Sequence, residues 1–267
     1  MLNTVKKIGP VLDLFTAQRP EWRMTEIARA LDMPKSSAHS LVSTLADVGL
    51  LATTESGRYR LGWNLLSLSE RMRASLDFRT HALTPMQALA GKVQETVLLA
   101  ALDREKVIYV ERVEGHHPMV RLAGVRIGSK APAHATAVGK VLLADREPGE
   151  VRARFAESGL RALTLHTITD MDALEAELAR TRARGYAIES GEIVPDIACI
   201  AAPVHGRYGA VVAAISVAVP AYRFDAMREQ ILPALEEATA TVSARLAQAQ
   251  VERQPAEPAE TELVVVP

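Results

Sequence analysis

The sequence lacks an apolar run approaching the roughly 20 residues that span a bilayer, so a transmembrane helix is not expected. It has a single cysteine, Cys199, which excludes an internal disulfide and fits a reducing cytoplasm. Two N-terminal lysines precede an apolar stretch, but Asp13 interrupts it and no small-residue cleavage site follows, so export is not expected. We therefore expect a cytoplasmic protein without a membrane partner.

The chain also lacks a large excess of charge of either sign. Its net charge of −1 argues against a protein that coats nucleic acid over its whole surface. Residues 1–80 nevertheless hold eleven Lys/Arg against eight Asp/Glu, a net of +3 that leaves −4 for the remainder. This uneven division permits a DNA-binding end. The 48% of hydrophobic and 24% of charged residues are typical of a soluble globular protein.

The first 62 residues follow the order of a winged helix-turn-helix. Apolar spacing predicts a first helix near residues 5–15 and a short second helix, TEIARAL, with Thr25 as its cap. A third helix, KSSAHSLVSTLADVG, follows Pro34 and ends at Gly49. Two short extended runs then flank a Glu-Ser-Gly turn, as in a hairpin. We predict a DNA-binding domain over residues 3–62.

The third helix has a polar face at its N-terminal turn, the part that enters the major groove in such domains. We expect its lysine and serines to hold phosphates, and its histidine and last serine to reach base edges. The wing arginines would contact the neighbouring backbone or minor groove. The predicted DNA-contacting residues are Thr25, Lys35, Ser36, Ser37, His39, Ser40, Arg58 and Arg60. The alternative is a helical mini-domain whose polar face is merely solvated.

Beyond the hairpin, apolar residues recur every three or four positions from Leu61, which predicts one amphipathic connector helix over residues 63–78. Residues 79–250 alternate between strand and helix patterns and predict a largely antiparallel sheet with helices outside. Pro233 should kink the last helix. The Pro- and Glu-rich tail over residues 251–267 is predicted to be disordered.

Two strands of the second domain carry small residues on one face. Alternation along GAVVAAISVAV puts Ala214, Ser216 and Ala218 on one face and large aliphatic residues on the other. IACIAAPV similarly places Ile197 and Cys199 together. Small residues leave volume for a ligand cavity, but they equally suit a core in which a helix packs closely, and the pattern alone leaves both open.

The order of these segments resembles the isocitrate-lyase-regulator (IclR) family of bacterial transcription factors. The resemblance runs from MTEIARALDMPKSSAHSLVSTLADVGLL and RYRLG through APAHATAVGKVLLA, RARGYAIESGE and IACIAAPV to AAISVAVP. It covers residues from about 3 to 248 in the family's order. It implies an α+β fold: an N-terminal winged helix-turn-helix, a connector helix and a C-terminal GAF-like effector-binding domain. It also implies a homodimer or homotetramer that binds a pseudo-palindromic double-stranded DNA operator.

The resemblance also implies a small-molecule pocket on one face of the sheet. Position by position its lining would be Val120, Ala123, Ala131, Ala137, Val138, Glu189, Ile197, Cys199, Ser216 and Ala218. Arg121 and His134 are further candidates for an anionic ligand, since a guanidinium can grip a carboxylate with two hydrogen bonds. Alternation points Val120 and Arg121 to opposite faces, so both would line the pocket only with a bend.

Two positions depart from the family's pattern. Ser40 stands where many members have arginine in the recognition helix, which changes the expected readout of bases. Asp196 stands where a glycine is common, and we expect the turn to survive because aspartate tolerates a left-handed conformation. A charge there could alter ligand preference at the pocket mouth.

Enzyme motifs are weak in this chain. GSKAPAHATAVGKV has neither the glycine spacing nor the Ser/Thr of a phosphate loop. Cys199 lies in an apolar strand, His116 and His117 lack further metal ligands, and Glu189 resembles an acid/base partner of Glu192 only in residue type. We expect no enzyme activity, cofactor or metal. The leading hypothesis is a transcriptional regulator controlled by a small organic acid or aromatic metabolite. The alternative is a metabolite-binding or hydrolytic enzyme that uses its N-terminal helices only to oligomerise.

Overall fold

The computed structural model describes residues 3–116 and 124–252. Its contacts divide the chain into two compact units between Ser75 and Leu76. None of the helices in the described ranges is long and apolar enough to cross a membrane. All but the first two residues of the tail predicted to be disordered lie outside these ranges.

The N-terminal unit contains five helices and a two-stranded antiparallel hairpin in its described part. These are α1 (Asn3–Lys6), α2 (Ile8–Asp13), α3 (Met24–Ala30), α4 (Lys35–Asp47), β1 (Leu51–Thr53), β2 (Tyr59–Leu61) and α5 (Asn64–Ala74). Val11, Ile27, Val42 and Leu51 are almost fully buried and bring α2, α3, α4 and β1 together in one apolar core. The predicted order of helices and hairpin is confirmed.

Two backbone turns fix α4 in this unit. Asp32 adopts φ 46° between α3 and α4, and the Met33 N–H donates to the carbonyl of Ala28 at 2.8 Å. At its other end Gly49 has φ +77°, and the Leu50 N–H donates to the carbonyl of Leu45 at 2.9 Å. The second turn is a Schellman motif, and the predicted glycine stop is therefore confirmed.

The single connector helix predicted over residues 63–78 is wrong in its extent. Helix α5 ends at Ala74, and Leu76 leaves the helical region with ψ 86° before a second helix begins at Asp77. The Ser75 hydroxyl donates to the Met72 carbonyl at 2.7 Å and ends the first helix locally. The apolar spacing continues across this break, so the pattern did not reveal it.

The C-terminal unit is an antiparallel sheet with helices on both faces. Its elements are α6 (Asp77–Val93), β3 (Thr96–Asp103), β4 (Lys106–Val113), β5 (Lys130–Pro132), α7 (Ala137–Ala144), α8 (Pro148–Phe155), α9 (Met171–Arg184), β6 (Ala187–Ser190), β7 (Ile197–His205), β8 (Val211–Pro220) and α10 (Phe224–Glu252). The strand order is β5-β4-β3-β8-β7-β6, and every pairing is antiparallel. The predicted α+β fold with a largely antiparallel sheet is confirmed. Pro233 lies inside α10, which continues on both sides of it.

The two faces of this sheet have different cores. Ile215, Val217 and Val219 of β8 pack with residues of α6 and α10. Ala214, on the opposite face of β8, packs with residues of α7, α8 and α9. The predicted division of β8 into a face of large residues and a face of small residues is therefore present. The small-residue face is partly close-packed core and partly the wall of a cavity.

Candidate DNA-binding face and small-molecule cavity

The N-terminal turn of α4 presents a polar surface. Ala38, Leu41 and Leu45 point into the core at helical spacing, which leaves the opposite face of the helix in solvent. The predicted contact residues on this exposed face are Lys35, Ser36, Ser37, His39 and Ser40. The structure thus brings all five to one accessible surface.

Helix α4 also exposes backbone donors. Pro34 occupies the N-cap position and makes no side-chain cap hydrogen bond. The first N–H of the helix with an intrahelical acceptor is that of Ala38, which donates to the Pro34 carbonyl at 3.0 Å. The N–H groups of Lys35, Ser36 and Ser37 therefore sit at the positive end of the helix dipole, a favourable place for a phosphate.

The hairpin gives its two arginines different settings. Arg60 is exposed on β2, and its guanidinium carbon lies 5.6 Å from the centroid of the Trp63 ring. Arg58 is half-buried in the turn, where its backbone N–H donates to the Thr54 hydroxyl at 3.2 Å. Tyr59 between them pairs with Trp22 through two backbone hydrogen bonds of 2.7 and 2.9 Å. Arg60 is consequently the wing arginine with more freedom to reach DNA.

Thr25 does not cap α3, and that prediction is wrong. The N-cap is Arg23, whose N–H donates to the Glu26 carboxylate at 2.8 Å. This hydrogen bond is the main reason that the pKa of Glu26 is lowered. The carboxylate at the third helical position thus reaches back to the backbone N–H of the N-cap residue, which is one half of a capping box. Thr25 is exposed within the first turn of the helix.

The C-terminal unit contains a cavity of about 80 Å³ between the sheet and α7. Its walls are mostly apolar. They are formed by residues of five strands, of two loops and of the start of α7. The predicted pocket residues that line it are Ala137, Val138, Glu189, Ile197, Cys199 and Ser216. The structure therefore brings six positions from four separate segments of the chain to one small space.

Glu189 dominates the electrostatics of this cavity. Its carboxylate accepts the N–H groups of Glu192 at 2.6 Å and of Ile193 at 3.3 Å. Burial, together with the nearby charge of Glu192, raises the pKa of Glu189 to about 7 against the lowering effect of these hydrogen bonds. Burial and the nearby Glu189 also hold the pKa of the Cys199 thiol well above its ordinary value. The thiol therefore lacks the low pKa that a cysteine nucleophile needs.

Three predicted positions lie away from the cavity. His134 is buried beside Phe155 with ring centroids 5.6 Å apart, and its Nε2 is 3.1 Å from the Arg161 carbonyl. Burial lowers the pKa of His134, which disfavours the imidazolium form that would bind an anion. Ala131 is half-buried on β5 opposite Val107, and Ala218 is fully buried in β8. These residues support the fold around the cavity instead of lining it.

The last predicted positions are three residues before β5 and Asp196 in the loop before β7. Val120, Arg121 and Ala123 lie outside the described residues. Asp196 is exposed in the loop before β7 and is not among the described residues with positive φ, so the turn does not need glycine there. Its carbonyl accepts the Ala221 N–H at 2.9 Å, and its side chain does not line the cavity.

Half of the residues that line the cavity were not predicted from the sequence. The missed residues are Leu98, Tyr109, Val125, Thr136, Ile193 and Val194. Leu98 lies directly opposite Ser216 in the β3–β8 pairing, so knowledge of that register would have found it. Thr136 caps α7 by accepting the Gly139 N–H at 3.0 Å, a local signal that was available in the sequence.

No group of three or more potential metal ligands occurs in residues 3–116 and 124–252. Glu192, considered above as a partner for Glu189 in acid/base chemistry, instead forms a buried ion pair with Lys140. Neither observation favours a hydrolytic site.

The chain matches two family models. The model for the IclR helix-turn-helix domain matches residues 4–55, and the model described as bacterial transcriptional regulator IclR C-terminal matches residues 71–244. Two curated regulators of Escherichia coli are similar to it over most of their length. XynR is 34% identical over 84% of this chain and 89% of its own, and KdgR is 30% identical over 92% and 93%.

Solved structures agree with these matches. The IclR transcriptional regulator of Alicyclobacillus acidocaldarius superposes with a TM-score of 0.77 at 29% identity, covering 91% of this chain and 98% of its own. An IclR homologue of Microbacterium hydrocarbonoxydans, complexed with 4-hydroxybenzoate, gives 0.78 at 29% identity and covers 92% and 100%. The prediction of a DNA-binding transcriptional regulator under metabolite control is thus confirmed at the level of the family. The chain belongs to the IclR family of bacterial transcriptional regulators.

Proposed function

We propose that this regulator binds an operator as a homodimer or a pair of dimers, and that a small organic ligand in the cavity of the C-terminal unit controls that binding. The observation that carries the DNA-binding role is the exposed turn of α4, which combines a lysine, three serines and a histidine with free backbone donors. Phosphate contacts would come from Lys35 and the serines, and base contacts from His39 and Ser40. Arg60 and Arg58 would contact the backbone or minor groove beside the recognition helix.

The dimer is supported by the apolar surface of the helix that follows the hairpin. Helix α5 has no buried residue in the single chain, and even its apolar side chains are exposed: Leu66 is 58% and Met72 is 55% exposed. Leu68 adds a third exposed apolar side chain on the same helix. Apolar side chains in such number on one helix favour association with a second copy. A twofold pair of recognition helices would bind a pseudo-palindromic operator, and the site of action would be the cytoplasm, where bacterial DNA lies.

The ligand class follows from the lining of the cavity. Its walls are largely apolar, and its polar groups include Tyr109, Thr136, Glu189 and Ser216. Such a lining suits a small aromatic or aliphatic compound that carries a hydroxyl or carboxyl group. A carboxylate ligand would favour the protonated form of Glu189, since two negative charges in one apolar cavity repel each other. We therefore propose a small organic acid or a hydroxylated aromatic compound as the effector.

Gel-shift titration against the DNA upstream of the protein's own gene tests the DNA-binding role. We expect salt-sensitive binding that competitor DNA of unrelated sequence does not remove. Lys35→Ala combined with Arg60→Ala should weaken it, and ligand binding measured by thermal shift should remain. Absence of sequence-specific binding with and without a panel of small carboxylic and aromatic acids would overturn the proposal.

A thermal-shift screen of that acid panel tests the ligand class. A ligand at 100 times its Kd should stabilise the protein by about 2.7 kcal/mol, which is readily measured. Ser216→Leu fills part of the cavity and should abolish the shift. An undiminished shift in this variant would place the ligand elsewhere.

A further inference from the structure

Lys140 is a buried cation in the wall of the C-terminal unit. It belongs to α7, all eight residues of which are buried. The Lys140 side chain is 2% exposed, and that of its partner Glu192 is 9% exposed. The Lys140 ammonium donates to the Glu192 carboxylate and to the Ile188 carbonyl, the latter at 3.3 Å. Lys140 thus joins α7 to β6 and to the loop that follows.

A pair buried this deeply is not explained by its contribution to stability. Removing two charges from water costs several kcal/mol per ion, and apolar residues of similar volume often serve the fold as well. Glu177 adds a second carboxylate near Glu192 and makes the site less favourable for its charge. The best-attested use of such a pair is to select one arrangement of the chain over others.

The loop held by Lys140 is residues 191–196, here called the β6–β7 loop. Two threonine hydroxyls on its other side donate to its backbone: Thr164 to the Gly191 carbonyl and Thr167 to the Glu192 carbonyl, each at 2.6 Å. The loop is therefore fixed from α7 on one side and from the segment before α9 on the other. Lys140 provides the only contact of this set that depends on a full charge.

The same loop closes the cavity. Ile193 and Val194 line it, and Ile197 and Cys199 follow directly on β7. We propose that Lys140 is a positioning residue that holds the β6–β7 loop over the cavity, so that its ion pair with Glu192 controls access of ligands. This inference rests on the proposed function in taking the cavity as the effector site.

Glu189 connects the ligand to this loop. Its carboxylate faces the cavity and also accepts the N–H groups of Glu192 and Ile193. A ligand that hydrogen-bonds to Glu189 competes with these donors and thereby acts on the segment that Lys140 holds. The loop and the bound ligand are then coupled through one carboxyl group.

The single cysteine of the chain provides a readout that needs no identified effector. Cys199 lies in the cavity lining behind the β6–β7 loop, and only its thiolate reacts with iodoacetamide, displacing iodide to form a thioether. The alkylation rate of the DNA-free full chain, corrected for the thiolate fraction through its dependence on pH, therefore reports opening of the loop. We expect Lys140→Met to raise this rate at least about tenfold, since loss of one partner leaves the other in a buried site.

Two variants serve as controls. Arg152→Met removes a cation that pairs with Glu175 at 2.9 Å on the surface of the same unit, where the arginine side chain is 52% exposed. We expect its alkylation rate to stay within about twofold of wild type, since exposed pairs contribute little. Glu192→Gln keeps the shape of the partner while removing its charge, and should raise the rate in the same direction if Lys140→Met fails to fold.

The dependence of the rate on urea separates loop opening from global unfolding. Local opening exposes little surface and gives a rate that hardly changes with low urea, whereas global unfolding gives a steep rise. A faster rate without a steep rise supports the proposal. An unchanged rate in both Lys140→Met and Glu192→Gln, or a faster rate that rises as steeply as global unfolding, overturns it. Failure to bind operator DNA would count against the proposed function and would leave this result unaffected.

Discussion

Replacing Glu189 with glutamine should stabilise the C-terminal unit much more at pH 8 than at pH 5. In the folded protein burial raises the pKa of Glu189 from an ordinary value of 4.5 to about 7. The folded state therefore binds more protons than the unfolded state between these two values, and stability falls as the pH rises through that window. Glutamine resembles the protonated carboxyl and keeps an oxygen for the N–H groups of Glu192 and Ile193.

The expected magnitude follows from the displacement of the pKa. At about 1.4 kcal/mol per pKa unit, ionisation of Glu189 costs the folded state up to about 3 kcal/mol once the pH is well above 7. The groups around the Glu189 carboxyl also favour its protonated form, and so agree with a raised pKa. Glu192 repels it, and Cys199 and Tyr109, whose own pKa values are raised by burial, add no positive charge. Lys140 is already paired with Glu192.

Urea unfolding of both proteins at pH 5, 6, 7 and 8 provides the assay. Far-UV circular dichroism follows the whole chain, and tryptophan fluorescence follows the N-terminal unit, which holds Trp22 and Trp63. The exposed Glu157→Gln is the matched control and should stay within about 0.5 kcal/mol of wild type at every pH. A difference between Glu189→Gln and wild type that is constant with pH, or that favours wild type at pH 8, would refute the reasoning.

Three further substitutions test other parts of the structure. Lys35→Ala should reduce the slope of log affinity against log salt by about 0.9 per lost phosphate contact, while the exposed Lys106→Ala should not; an equal effect of both would argue against α4 as the contact surface. Gly139→Ala should destabilise the protein by about 1–3 kcal/mol, because its Cβ would lie 2.1 Å from a backbone oxygen, whereas Gly149→Ala in open space should be neutral or stabilise it by about 0.5 kcal/mol. Chemical denaturation of the two glycine variants measures this difference in the free energy of unfolding. Met72→Glu should lower the mass in light scattering toward one 28.9 kDa chain, and an unchanged assembly would move the proposed interface away from α5.

The N-terminal unit could be predicted because its signals are local. Pro34 and Gly49 mark the ends of α4 by their own backbone preferences, and apolar spacing gives its buried face. Two errors, one inside this unit and one at its C-terminal boundary, arose where local solutions compete. Glu26 caps α3 in place of Thr25, and the helix breaks at Leu76 although an apolar residue there continues the pattern.

The cavity could be predicted only in part because its walls meet through strand pairing. Alternation along β7 and β8 grouped Cys199 and Ser216 with small residues on one face of each strand, and the family resemblance assigned them to a pocket. Leu98 reaches the same cavity through the pairing of β3 with β8, strands more than a hundred residues apart. Ile193 lies in a loop whose position depends on the buried charge of Lys140, which no periodic pattern indicates.

A regulator that acts at an operator must distinguish one DNA sequence from another. Fluorescence anisotropy with a duplex from its own upstream region, against a shuffled duplex of the same length and composition, measures this directly at physiological salt. We expect the affinity for the upstream duplex to be at least about 10³-fold higher than for the shuffled duplex, as is typical of specific regulators. Equal affinity for the two duplexes, with the cavity empty and with each acid of the panel present, would contradict it.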